Sequence, residues 1–542
     1  MYRQISMGLL SRRSDLRLLG FSILLIVVTR APFLPSYLYS FDSVNLALAL
    51  KDFDPLLHQP QPPGYPLFVT EAWLLNQVLR VPEWTFAVLG IIVSSLAVLF
   101  AYLLGVRMFS RQVGLLAAAL LFVNPIFWYA GLTSPLRTHL AFVPLLMAYF
   151  CWRTWEGESR YLLAASLALG LGAGARPELL VTLMPMWAWT AWRARRSGYL
   201  DRSILLLAAS VLLWIAMLGI AYGGLTSMIS SLEGYFYTEA MQTSPLLQAS
   251  AAGWQRMAGR AVVWSSLGAL CWIWALPFAW RALRRTDPPK PFVTFLTIWI
   301  LPCFLFSVLV HIGDPDQALA TIAGLCLAGG FALNAAEQSI ACRCAGWLPE
   351  GVLASWIILF VNLPLFFGEY LPPWREATPQ FRGLASVTDA WRFAVYESSL
   401  PRVRWVDRMA ANGFRQLEAL QSGTERPVLA VWLRDGEPSW RKVCYYFPSI
   451  GVYVLEEGGD RAVLASKGRL SVNNTAVDSY LGPPPIRVPV PRGARLVWLL
   501  GAAEVDKLAA VVPLQPASPL YYTDLPPDAA EFRYGSFVFS PE

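Results

Sequence analysis

The sequence predicts an all-α polytopic transmembrane bundle followed by a smaller C-terminal α/β domain. Three observations predict it. Of the 542 residues, 56% are hydrophobic and only 15% charged, and mean hydropathy is +0.46; a soluble domain is nearer a quarter charged. Apolar runs of helical length recur from residue 16 to 368, separated by short Arg-rich links. From residue 369 onward no such run appears, and Arg, Asp, Glu and Pro become frequent. Together, 23 Trp, 21 Tyr and 29 Phe exclude a disordered chain. The net charge of +7 belongs to the links beside apolar runs, the positive-inside pattern, so nucleic acid is not an expected partner and the lipid bilayer is.

The first span is Leu16–Leu34, preceded by Arg3, Arg12 and Arg13. It lacks a small-residue cleavage site, so it reads as an uncleaved helix with a cytoplasmic N-terminus. Further spans are expected at 85–106, 114–131, 138–152, 161–174, 177–192, 203–222, 262–282, 292–312, 316–337 and 350–368. Basic links at Arg107/Arg111, Arg153/Arg160, Arg193–Arg202, Arg281–Lys290 and Arg343 mark the cytoplasmic side. Tyr65–Leu79 is apolar but carries Glu71 and Asn76, and a full crossing there would break the parity. It reads as a re-entrant or interfacial helix. The count is then eleven spans, with the C-terminus outside. The expected domains are 1–368, with a first outer loop at 35–63, and an extracytoplasmic 369–542. In that tail, Val403–Leu420 has helical spacing, and Pro427–Leu433, Ile450–Leu455 and Ala494–Leu500 read as strands.

Seven scattered cysteines give no redox assignment, and Cys342-x-Cys344 lacks two further zinc ligands. Asn473-Asn474-Thr475 fits an N-glycosylation acceptor. Neither a phosphate-binding glycine loop, a dinucleotide fingerprint, a His-Glu-x-x-His nor a Gly-x-Ser-x-Gly is present.

Ionisable residues at membrane depth are costly, so those at the outer ends of spans are informative. Asp42 opens the stretch Ser43–Leu50. It reads either as a helix cap or as a general base taking a proton from an acceptor hydroxyl. His58, at the start of His-Gln-Pro-Gln-Pro-Pro-Gly-Tyr-Pro, and Tyr65 within it shape a rigid turn. Arg176-Pro177-Glu178 follows Gly172-Ala-Gly174; its arginine either snorkels or binds a lipid phosphate. His311-Ile-Gly313-Asp314-Pro315-Asp316 is either a capped turn or part of the same anion site. Arg137 and His139 lie on that side, as does Arg260 in the outer segment 223–261. Cations stabilise charge developing on a phosphate leaving group, and a carboxylate activates the attacking hydroxyl.

At these residues the chain resembles the GT-C superfamily of polytopic glycosyltransferases, in its bacterial branch related to protein O-mannosyltransferases and lipid A aminoarabinose transferases. The resemblance rests on Asp42 in the first outer loop, His58–Pro66, Gly172–Pro177 and His311–Pro315. It implies transfer of a sugar from a polyprenyl-phosphate donor to a glycan, lipid or protein acceptor on the outer face of the inner membrane, with inversion. Asp42 takes the family's acidic position, while Ser43 stands where many protein mannosyltransferases carry a second acid. Arg176, His311, Arg137 and Arg260 are expected to bind the donor phosphate, and His58, Tyr65, Glu178 and Asp314 to shape the site. No cofactor or metal ligand is assigned; metal dependence varies across the superfamily, which allows a divalent ion without requiring one. The alternatives are a transporter or flippase of lipid-linked saccharide, which should show interrupted helices in two repeats, and a non-catalytic membrane assembly protein working through its tail.

Overall fold

The computed structural model describes residues 12–240, 244–247, 250–284, 291–341, 351–368, 391–433, 438–458, 461–470, 476–482 and 484–542. Arg3, Arg285, Lys290, Cys342, Arg343, Cys344 and the tripeptide Asn473–Thr475 lie outside the described residues. The chain forms two compact units: Met1–Leu34, Tyr65–Met217 and Glu239–Val403 make the first, and Pro35–Gly64, Leu218–Thr238 and Arg404–Glu542 the second.

The first unit is helical. Its helices are α1 (Arg12–Arg30), α3 (Pro66–Leu79), α4 (Pro82–Met108), α5 (Arg111–Phe122), α6 (Pro125–Thr133), α7 (Pro135–Trp155), α8 (Tyr161–Ala175) and α9 (Glu178–Arg193). After α10 (Leu200–Ala221), which runs across the boundary between the units, it continues with α12 (Ala251–Ser266), α13 (Leu276–Arg284), α14 (Pro291–Leu309), α15 (Leu319–Ala341) and α16 (Val352–Phe367). Among the described residues four helices are long and apolar enough to cross a membrane: Pro82–Met108, Leu200–Ala221, Pro291–Leu309 and Pro315–Ile340. The expected span 114–131 is bent by 56° between α5 and α6 and would make a fifth. Asn124-Pro125 causes the bend. Proline has no N–H to continue α5, and Asn124 caps α6 by accepting from Ile126 N and Phe127 N at 3.1 and 3.2 Å. The expected span 262–282 is likewise interrupted, between α12 and α13, where Pro277 sits in the first turn of α13. Small residues allow the helices to approach. A Cβ on Gly172 of α8 would lie 2.3 Å from Val143 Cγ1 of α7, so glycine is required for that contact.

The second unit is α/β. Its main sheet has seven strands in the order β4-β3-β2-β1-β6-β8-β7. The strands are β1 (Val428–Trp432), β2 (Gly451–Gly458), β3 (Arg461–Leu470), β4 (Ala476–Gly482), β6 (Arg495–Leu499), β7 (Gln515–Ala517) and β8 (Leu520–Asp524). The central β1 runs parallel to β2 and β6. A second sheet is ordered β5-β10-β9, from β5 (Ile486–Val490), β9 (Phe532–Tyr534) and β10 (Phe537–Pro541). Side chains alternate across a strand: Ala430, Val497 and Leu499 face the layer of helix α17 (Leu400–Ser422), with Phe414 and Leu417. Val431, Leu496 and Trp498 face the other core, with Val488, Leu508 and Phe539. Both faces are covered, which is why Leu496–Leu499 of β6 reads as an unbroken apolar run. Residues 223–261, expected as a loop, instead contain α11 (Leu225–Ala240). Residues 35–64 hold α2 (Phe41–Ala49) and a 3-10 turn at Pro55–Leu57.

Candidate functional site

In the second unit, α2 starts because Ser40 caps it: Ser43 N donates to Ser40 Oγ at 3.1 Å. Asp42 is therefore not the cap. It stands half-buried in the first helical turn, where a carboxylate is favoured by the helix dipole. Beyond α2, Asp54 and Gln59 close a small ring through two backbone bonds of 2.7 and 2.9 Å. His58 sits in that ring in the left-handed conformation, φ 53°, buried, with its ring edge-on to Tyr235 at 6.0 Å. Gly64 has φ +108°, and a Cβ there would meet Leu218 Cδ2 at 2.8 Å, so only glycine closes the segment.

In the first unit, Arg176 ends α8 and Glu178 begins α9. Arg176 is 3% exposed, so it does not snorkel. Its Nε donates to Glu178 Oε1 at 2.8 Å, and its Nη2 donates to the same oxygen. Its guanidinium carbon lies 5.3 Å from the centroid of the Tyr65 ring. Nη1 is buried and has no hydrogen-bond partner among the described residues. On α7, Arg137 Nη2 donates to Asp314 Oδ2 at 3.0 Å, and Nη1 lies 3.7 Å from Asp316 Oδ1. Asp314 thus pairs across the structure and its side chain makes no capping bond. His311 lies in the same turn with Nδ1 buried and unpartnered among the described residues. Burial, then the charges of Arg137 and Arg260, hold its imidazole below the usual range, against the pull of Asp314. Arg260 of α12 is exposed, 5.7 Å from the Trp264 ring.

The first unit therefore brings together Tyr65, Arg137, Arg176, Glu178, Arg260, His311 and Asp314, while Asp42 and His58 belong to the second unit. Sequence reasoning gave no site role to three neighbours. Glu71 of α3 sits 2.7 Å from His139 Nε2, whose Nδ1 is 3.0 Å from Pro135 O; a carboxylate inside an apolar helix was the available signal. Asp316 is buried beside Arg137. Glu397 senses Arg260 and Asp314, and burial pushes its carboxyl up to about 7; no local pattern marks it.

A groove of about 590 Å³ lies against α12, α14 and α15, lined by Trp272, Leu296, Ile300, Phe304, Leu325 and Phe331 among others. Ser265 and Ser266, which also line it, stand on the helix that carries Arg260. Among the described residues no group of three or more His, Cys, Asp or Glu could hold a metal ion.

Residues 60–221, from Pro60 to the end of α10, match the family model described as dolichyl-phosphate-mannose-protein mannosyltransferase. That segment contains Tyr65, Arg137, Arg176 and Glu178, and Asp42 precedes it. No curated protein matches the sequence. The fold is similar to that of ArnT from Cupriavidus metallidurans bound to undecaprenyl phosphate, with a TM-score of 0.57 and 13% identity over 95% of this chain and 98% of that one. The apo form of the same protein gives 0.55 and 13% over 94% and 98%. A weaker likeness, 0.40 and 14% over 81% and 64%, is to the apo oligosaccharyltransferase of Archaeoglobus fulgidus. The matched segment thus lies within a fold shared with ArnT along nearly the whole chain.

Proposed function

We propose that the protein transfers a sugar from a polyprenyl-phosphate-linked donor to an acceptor hydroxyl on the extracytoplasmic face of the inner membrane, inverting the anomeric carbon. The observation that carries the reading is Arg176. A fully buried guanidinium is costly unless its donors are satisfied. Glu178 takes two of them, Tyr65 covers the face, and Nη1 is left for an acceptor oxygen that a phosphate supplies. Arg137, Arg260 and His311 add cationic and donor groups nearby; Asp314 orients Arg137 as Glu178 orients Arg176. The apolar groove, lined in part by Ser265 and Ser266 of the helix that carries Arg260, suits the polyprenyl chain; the related fold of ArnT carries undecaprenyl phosphate.

In this reading Asp42 accepts the proton of the acceptor hydroxyl as its oxygen bonds to the anomeric carbon. The bond from that carbon to the phosphate oxygen breaks, and the cations take the charge appearing on the departing polyprenyl phosphate. His58 and Tyr65 shape the approach. The topology that goes with it is the one the basic links suggest: an odd number of crossings, eleven by the sequence count, with the N-terminus cytoplasmic and the region after 368 outside.

The test is transfer by the full chain in lipid nanodiscs, with undecaprenyl-phosphate-linked sugars offered against lipid, glycan and peptide hydroxyls. Asp42→Asn should lower kcat by about 100-fold or more, as expected for loss of a general base, with the melting temperature unchanged. Full activity in that variant would remove Asp42 from the mechanism.

A further inference from the structure

We propose that Arg441 is a positioning residue that holds the Asp42 helix and the His58 turn in register with each other. The proposal rests on the reading of Asp42 as the base. Arg441 lies in the first turn of α18 (Trp440–Tyr446), within the C-terminal α/β region, and is 2% exposed. Its Nε donates to Asn45 Oδ1 at 2.8 Å. Its Nη2 donates to the carbonyls of Leu57 at 3.1 Å and His58 at 3.3 Å. Asn45 is fully buried and stands three residues after Asp42, on the same face of α2. One guanidinium thus joins two pieces of chain, the helix that carries Asp42 and the turn that carries His58.

The same region grips the entry to α2. Ser36 N and Tyr37 N donate to Asp407 Oδ1 at 2.8 and 3.1 Å, and Leu38 N donates to Tyr446 Oη at 2.9 Å. Phe41 meets Trp440 edge-on at 5.6 Å. With these contacts and the apolar packing of Trp440 and Val443, α18 would remain on its sheet without the charge of Arg441. Burying a charge among hydrogen-bond partners adds little net stability, whereas its directional bonds fix geometry. Position is what a general base needs, since a misplacement of about 1 Å can cost about 100-fold in rate.

The experiment uses the full chain in nanodiscs and compares Arg441→Ala, Arg441→Lys and Asn45→Ala with the unaltered protein. For Arg441→Ala we expect kcat to fall about 10- to 100-fold, with the KM for lipid donor nearly unchanged and part of kcat restored by added guanidinium. Hydrogen exchange should quicken about 10-fold or more over 45–58 while β1 and β6 keep their protection. Asn45→Ala should show the smaller loss, and Arg441→Lys, which keeps charge without the fork, should lie between. Unchanged exchange over 45–58, or unchanged kcat with that segment loosened, overturns the positioning role. Exchange that quickens in β1 and β6 as well, without rescue by guanidinium, overturns it too, because the residue then only supports the fold. The exchange readout needs no activity. An Asp42→Asn variant that stays fully active therefore removes the base separately from the Arg441 contact.

Discussion

Arg176→Ala is the sharpest perturbation of the proposed donor site. In the structure Nη1 is the guanidinium nitrogen without a partner among the described residues, while Nε and Nη2 are held by Glu178. A hydrogen bond from a charged donor is worth about 1.5–3 kcal/mol. Removing the one made to a phosphate oxygen should therefore lower kcat/KM for the lipid donor about 10- to 150-fold. Glu178 keeps 22% of its side chain exposed, so losing its partner leaves a carboxylate that water still reaches. The melting temperature should accordingly move by only a few degrees. Initial rates are measured against donor at saturating acceptor, then against acceptor at saturating donor. The acceptor KM should stay within about three-fold. Arg176→Lys should recover part of the loss through its charge and lack the planar fork. A donor kcat/KM within about two-fold of wild type, in a variant that melts normally, refutes the assignment of Nη1 to the phosphate.

Two other outcomes concern stability. Gly172→Ala places a Cβ 2.3 and 3.0 Å from the methyl groups of Val143 and 3.2 Å from its Cβ, so α7 and α8 must part. The expected cost is about 1–3 kcal/mol, read as a lowered melting temperature, and the double variant with Val143→Ala should recover most of it; no recovery would mean the helices are not in that contact. Glu397 carries a carboxyl raised from 4.5 to about 7, chiefly by burial. An acid raised in the folded state binds its proton more tightly there than in the unfolded chain, so its contribution is full below pH 4.5 and is lost as pH rises through about 7. Melting temperature should decline across that window and decline less in Glu397→Gln; parallel profiles would show that the carboxyl is not held high.

Much of this was legible in the sequence because it is local. The helix expected at Val403–Leu420 is Leu400–Ser422, and the three expected strands appear as Val428–Trp432, Gly451–Gly458 and Arg495–Leu499. The Arg176-Pro177-Glu178 turn lies between α8 and α9, as its glycines and proline indicate. The bend at Asn124-Pro125 was hidden by hydropathy, which stays high across it although the backbone cannot run through. Residues 225–240 read as loop because Ser, Thr and Glu interrupt their apolar run, yet they fold as α11. The alternatives at Asp42 and Asp314 turned on side-chain choices that spacing does not record: Ser40 reaches the helix start first, and Arg137 draws Asp314 away from capping. Least legible were Asn45 with Arg441 and Ser36 with Asp407, pairs 396 and 371 residues apart, which leave no periodic trace.

Those separations also set an order of events during synthesis. Ser36, Tyr37 and Leu38 are made early, but Asp407 follows Ser36 by 371 residues, and Tyr446 follows Leu38 by 408. At about 5–20 residues per second the ribosome takes roughly 20–80 s to cover that interval. For all that time the nascent helix bearing Asp42 lacks the bonds that seat it, so a ribosome stalled before codon 407 leaves a membrane-inserted but unfinished product.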